Sequence, residues 1–255
     1  MNVVVDGLMA NYQKTGSGNK TLVFLHGWGD SSATFRDLTE RLQHNYQIIS
    51  LDLPGFGGSQ APATAWGLQD YVSFIGAWMQ KIDTGKIFAF IGHSYGGAIL
   101  IKGLGEGTLK SEKLVLLASA GIRGQDKLKK RAMWAVAKGA KLPLLVLPKS
   151  KRQAVRQKAY KKIGSDMLLL PHMQETFKRI ITEDVRPFAG NISIPTLLVY
   201  GSADDQTPPS YGQALQEAIK GSRLEIIGAA GHFLHKDQPE KIATLIKNFL
   251  AGQND

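Results

Sequence analysis

Short apolar runs rich in Val, Ile, Leu and Phe alternate along the chain with longer stretches whose apolar residues recur at helical spacing. That is the pattern of strands separated by helices. Strands are predicted at residues 2–5, 9–13, 21–25, 47–51, 87–91, 113–118, 196–200 and 223–227, several of them apolar throughout, as strands buried on both faces must be. Helical patterns fit 33–43, 68–82, 96–106, 209–220 and 238–251, long enough for right-handed crossovers between parallel strands. The expectation is an α/β fold, a mostly parallel sheet with helices on both faces.

Residues 122–190 break the alternation. They read as helical, carry Pro143, Pro148 and Pro171, and contain no convincing strand. An insertion between two core strands is expected over one end of the sheet, and open parallel sheets bind ligands beyond the carboxyl ends of their strands. The division expected is therefore a core of 1–121 and 191–255 with a helical cap, or lid, at 122–190. No internal repeat, low-complexity tract or heptad run is found.

With 255 residues, 43% hydrophobic and 20% charged, the chain can fill a core, which rules out intrinsic disorder. The absence of cysteine removes thiol nucleophiles, thiolate zinc sites and disulfide scaffolds together, and fits a reducing compartment. The first residues lack a basic segment followed by an apolar one, and the longest Leu/Val run, 142–147, is far short of the roughly 20 residues that span a bilayer. A cytoplasmic protein with no membrane-spanning segment is expected.

The net charge of +10 sits in one place. Residues 123–162 hold 14 Lys/Arg and one acid, a net of +13, so the rest of the chain carries −3. That distribution leaves three readings of the basic cap: a solvated helical face, attraction of an acidic carrier protein or anionic substrate, and docking on anionic lipid. Nucleic acid is not expected, because no binding motif accompanies the lysines.

Candidate chemistry starts at Gly92-His93-Ser94-Tyr95-Gly96, a G-x-S-x-G sequence between a predicted strand and a predicted helix. A serine on so sharp a turn is exposed, and glycine two positions to either side lets strand and helix approach closely. Alone the motif is weak, since a glycine-rich chain produces it by chance. Three further placements strengthen it. His26-Gly27-Trp28-Gly29 follows the strand at 21–25 and can turn back over the site, so that Trp28 and Tyr95 supply two backbone N–H groups to a developing oxyanion. His26 itself reads as a structural histidine pinning that loop. An acid, Asp204 or Asp205, lies beyond the strand at 196–200, and His232, with His235 close by, follows the last strand. The order Ser, Asp, His, each at the carboxyl end of a different strand, is one in which fold closure assembles a catalytic triad. A metal reading of His232 and His235 lacks a carboxylate at ligand spacing, and His44 and His172 read as surface or cap residues.

Taken together, HGWG at 26–29, LDLPGFGGS at 51–59, GHSYGG at 92–97, GSADDQTP at 201–208 and GHFLHKDQPE at 231–240 resemble the α/β-hydrolase superfamily over nearly the whole chain, most closely its small serine carboxylesterases. The resemblance implies an eight-stranded, mostly parallel sheet with a helical cap inserted after the sixth strand. It implies Ser94 as nucleophile, His232 as base, Asp204 as orienting acid and the Trp28 and Tyr95 N–H groups as oxyanion hole, with no cofactor. Asp204 is selected over Asp205 by its spacing from Gly201 and Pro208, and His232 over His235 by its place directly after a glycine.

The expected chemistry is acyl transfer through an acyl-enzyme that water resolves. A serine nucleophile argues against the haloalkane dehalogenases and epoxide hydrolases, similar elsewhere but attacking with a carboxylate. Apolar cap residues, among them Met133, Trp134, Leu144 and Leu145, are expected to line a pocket for a hydrophobic acyl group, with Trp134, Leu144 and Leu145 as substrate contacts. The alternatives are a methyl ester esterase or thioesterase acting on acyl chains of an acidic carrier protein and, from another class, a ligand-binding receptor or a peripheral membrane-binding protein on a hydrolase fold.

Overall fold

The computed structural model describes residues 1–123 and 170–253. Its core is an eight-stranded sheet of β1 (Asn2–Val5), β2 (Leu8–Thr15), β3 (Thr21–Leu25), β4 (Gln47–Leu51), β5 (Ile87–His93), β6 (Lys113–Leu117), β7 (Thr196–Gly201) and β8 (Arg223–Ile227), in the order β1-β2-β4-β3-β5-β6-β7-β8. From β4 to β8 every neighbouring pair is parallel; β2 runs antiparallel to both β1 and β4. Every residue of β3, β5 and β7 is buried, which accounts for their apolar runs, because helices cover both faces of the central strands.

Helices α1 (Arg36–Leu42), α2 (Leu68–Lys81), α3 (Tyr95–Gly105), α4 (Gln174–Ile180), α5 (Arg186–Ala189), α6 (Pro209–Ala218), α7 (Leu234–Asp237) and α8 (Pro239–Ala251) flank the sheet. The helical pattern at 33–43 divides into a 3-10 turn over Ser32–Phe35 followed by α1. On one face Tyr71, Ile75 and Trp78 of α2 and Ile99 of α3 bury against Val23, Leu25, Phe90 and Leu116. The opposite face holds Leu38 and Leu42 of α1 with Ile242, Ile246 and Leu250 of α8, packed on Leu22, Phe24, Ile91 and Val115. Those α8 positions recur at the spacing of one helical stripe. Pro239 opens α8, Gly252 at φ +77° ends it, and Lys113 Nζ donates to the C-terminal carbonyls of Phe249 and Leu250 at 2.8 and 2.9 Å.

Between β6 and β7, the described part of the expected cap segment is helical and strand-free: a 3-10 turn at Pro171–Met173, then α4 and α5. Ile122, Met173, Ile180, Val185 and Ala189 bury in the same core as α2 and α3. Arg123 donates from Nε to Glu183 O at 3.1 Å and from Nη2 to Ile180 O at 3.4 Å, closing the carboxyl end of α4. Glu183 Oε1 accepts from Leu68 N–H at 2.8 Å, and Thr176 Oγ1 from Trp66 N–H at 3.0 Å, so this segment also holds the start of α2. Met133, Trp134, Leu144 and Leu145 lie outside the described residues. No helix among the described residues is long and apolar enough to cross a membrane.

Candidate active site

β5 delivers Ser94 to a turn with φ +50° and ψ −112°, outside the helical and extended regions, before α3 begins at Tyr95. The flanking glycines make the turn possible. A Cβ on Gly92 would lie 2.7 Å from the backbone of Gly97, and one on Gly96 would lie 2.2 Å from the carbonyl oxygen of Leu25. Ser94 N–H donates to Leu117 O at 2.9 Å, and Ser94 O accepts from Ala98 and Ala120 at 3.2 and 3.0 Å. The strained residue is thus held by its neighbours on β6 and α3.

Three strand ends meet at this turn. His232, in the loop after β8, places Nε2 3.0 Å from Ser94 Oγ, and its Nδ1 lies 2.8 Å from Asp204 Oδ2 in the loop after β7. Asp204 is buried whereas Asp205 is exposed, so the carboxylate beside the imidazole is that of Asp204. Its other oxygen, Oδ1, accepts from the N–H groups of Gln206 and Thr207 at 2.8 and 3.0 Å. Burial by itself pushes the Asp204 carboxyl up, but the hydrogen bond and charge of His232, with the Thr207 N–H and hydroxyl, hold it below the usual carboxylate range.

The glycine-rich loop after β3 comes within contact of Ser94: a Cβ on Gly27 would lie 3.1 Å from Ser94 Cβ and 3.0 Å from His93 Nδ1. Trp28 follows at once, while Tyr95 is the first residue of α3, where backbone N–H groups have no intrahelical acceptor. Trp28 is thus one residue from the Gly27–Ser94 contact, and Tyr95 directly follows Ser94. His26 pins the loop, as expected. Its Nδ1–H donates to Gly27 O at 2.7 Å and its Nε2 accepts from Leu53 N–H at 2.9 Å, while burial pushes it below its ordinary value and keeps it neutral. The Trp28 ring meets Phe56, Tyr95 and Phe177 of α4 at centroid distances of 4.9, 5.8 and 5.1 Å, and Tyr71 meets Tyr95 at 5.4 Å.

His235 does not reach Ser94. It is buried, with Nε2 3.0 Å from Thr34 Oγ1. His44 and His172 are exposed. Two residues the sequence reading gave no role stand against the site. His93 is buried behind His232, and Thr207 places its hydroxyl between Asp204 and His232. Both lie inside the motifs quoted above, yet nothing in those motifs says which way their side chains turn.

Residues 22–245 match the sequence profile of the alpha/beta hydrolase family. Among curated relatives, the chain is 26% identical over 268 residues to the uncharacterized hydrolase YugF of Bacillus subtilis, spanning 96% of each chain. It is 28% identical to the pimeloyl-[acyl-carrier protein] methyl ester esterase of Neisseria meningitidis, covering 92% of this chain and 78% of that one. Its fold is similar to that of a bacterial membrane phospholipase A (TM-score 0.79, 22% identity, 99% of this chain and 86% of the other). It is similar also to the enol-lactonase of Burkholderia xenovorans (TM-score 0.76, 20% identity, 98% and 100%). With the profile spanning most of its length and the eight-stranded sheet in place, the chain belongs to the alpha/beta hydrolase family.

Proposed function

We propose that the protein is a serine esterase that cleaves esters of hydrophobic acyl groups through Ser94, His232 and Asp204. The observation that carries the reading is the unbroken line of contacts from Ser94 Oγ to His232 Nε2 at 3.0 Å and from His232 Nδ1 to Asp204 Oδ2 at 2.8 Å. With Nδ1–H committed to the carboxylate, Nε2 is free to take the serine proton as Oγ attacks the ester carbonyl. The oxyanion then faces the Trp28 and Tyr95 N–H groups. His232 returns its proton to the leaving alcohol, activates water in the same way, and the acyl-enzyme is hydrolysed. Nothing in this cycle calls for a cofactor. The apolar residues Met133, Trp134, Leu144 and Leu145 within the basic segment support an apolar acyl chain, residues 122–190 are assigned as the cap, and the cytoplasm is the compartment proposed.

The test is hydrolysis of p-nitrophenyl esters from acetate to palmitate by wild type and Ser94→Ala. Cleavage that depends on Ser94 and peaks at one chain length supports the esterase reading. Well-folded wild type that cleaves none of the series overturns it as a general esterase.

A second reading has an observation of its own. The Neisseria relative acts on a methyl ester of an acyl chain carried by acyl carrier protein, and the +13 carried by residues 123–162 matches an acidic carrier in sign. It is tested by comparing a methyl ester on acyl carrier protein with the free methyl ester at low and high salt. A preference for the carrier-bound ester that collapses with salt supports this reading, and equal rates on the two refute it.

A further inference from the structure

Thr207 is buried at 4% exposure in the loop between β7 and α6, and its hydroxyl meets three partners. Oγ1 lies 2.7 Å from Asp204 Oδ2, 3.0 Å from Ala118 O and 3.1 Å from His232 Nδ1. A hydroxyl has one hydrogen and two lone pairs. One hydrogen cannot serve both Asp204 Oδ2 and Ala118 O; the shorter contact, to a charged oxygen, takes it, which leaves Ala118 O against one lone pair of the hydroxyl and turns the other to His232 Nδ1–H.

Asp204 receives four donors. Its Oδ1 accepts from Gln206 and Thr207 N–H, and its Oδ2 from Thr207 O–H and His232 Nδ1–H. A carboxylate offers about four lone-pair sites. All are filled, so rotation of the carboxylate in either sense breaks a hydrogen bond in a buried place.

We propose that Thr207 is a positioning residue of the catalytic group. Its hydroxyl fills the second site on the Asp204 oxygen that receives His232 Nδ1–H, and thereby fixes the direction from which the imidazole presents Nε2 to Ser94. The inference rests on the reading of Ser94, His232 and Asp204 as catalytic. Without the hydroxyl, Asp204 Oδ2 keeps a buried lone pair unpaired and the carboxylate gains freedom to turn. The imidazole it orients then spends less of its time in line with Ser94 Oγ.

The experiment measures the rate at which a fluorophosphonate labels Ser94, followed by intact-protein mass, a readout of serine activation that needs no knowledge of the natural ester. Thr207→Val and Thr207→Ser are compared with wild type and in an Asp204→Asn background, with thermal unfolding of each. Thr207→Ala, which removes the hydroxyl without adding bulk, is measured alongside in case the valine variant misfolds.

Thr207→Val and Thr207→Ala are expected to label about tenfold more slowly, while Thr207→Ser stays within about twofold of wild type. In the Asp204→Asn background the valine substitution is expected to change the rate by less than about twofold, because the carboxylate it acts through is gone. Valine and alanine variants that label at the wild-type rate overturn the proposal. So does a serine variant as slow as valine, or a valine effect of equal size with and without Asp204. Failure of the underlying reading shows separately, as an Asp204→Asn protein that labels as fast as wild type.

Discussion

His93 Nε2 donates to the backbone oxygen of His232 across 2.9 Å, tying the residue before Ser94 directly to the loop that carries the imidazole. The His93 ring is buried between His232 and His235, at centroid distances of 4.9 and 4.6 Å. Burial, then the neighbouring charge of His232, pushes His93 down to about 3 from the ordinary 6.5, and burial likewise lowers His235. Both rings are therefore neutral wherever the protein is folded near neutral pH.

Between about 3 and 6.5 the unfolded chain protonates His93 and the folded one does not, so this contribution is complete above the unfolded value and is lost as pH falls below it. In His93→Gln, which keeps a side-chain N–H for His232 O, unfolding free energy should fall less steeply on acidification. Between about pH 6 and pH 4 the difference should approach one proton, about 1.4 kcal/mol per pH unit. Urea unfolding of both proteins across that range checks it, and equal slopes refute it.

Asp204→Asn should keep the fold and lower kcat by about a thousandfold or more, because an amide can donate to Nδ1 and stabilise the wrong imidazole tautomer. Asp205→Asn, altering an exposed acid next to it, should leave kcat within about twofold. Ester hydrolysis by the two variants separates adjacent residues that composition alone cannot tell apart.

Two glycine substitutions are expected to act in opposite senses. In Gly96→Ala the new Cβ would lie 2.2 Å from the backbone oxygen of Leu25, so α3 must move away from β3, costing about 3 kcal/mol and displacing the Tyr95 N–H. Gly76 sits within α2, and a Cβ there meets nothing within 4 Å. Gly76→Ala should stabilise by about 0.5–1 kcal/mol through helix propensity. Chemical denaturation of both variants measures the contrast.

Glu183 accepts from Leu68 N–H at the start of α2, where Asp70 Oδ2 also accepts from Gly67 N–H at 2.7 Å. Glu183→Ala should cost about 1–2 kcal/mol by orphaning a helix N-terminal donor. Hydrogen exchange should rise first in the opening turn of α2 and in α4, which the Trp66–Thr176 bond ties to it. Unchanged exchange in both places would show that this contact carries no weight.

The eight strands and the order of Ser94, Asp204 and His232 were legible along the chain because they are local facts. Strands buried on both faces must be apolar throughout, and a turn as tight as that at Ser94 demands glycine at 92 and 96 whatever surrounds it. The apolar positions of α8 likewise announced their buried stripe. Tertiary structure alone decided what the loop side chains do. The sheet order carries β5, β7 and β8 to one edge of a shared site, so His93 meets His232 across 139 positions and Thr207 meets His232 across 25. Glu183 caps α2 across 115. No periodicity records such contacts, since a loop side chain's direction is set by backbone dihedrals and by neighbours that only the closed fold supplies. Thr207, between a glutamine and a proline, therefore carries no role along the chain until the fold places it against the Asp204 carboxylate.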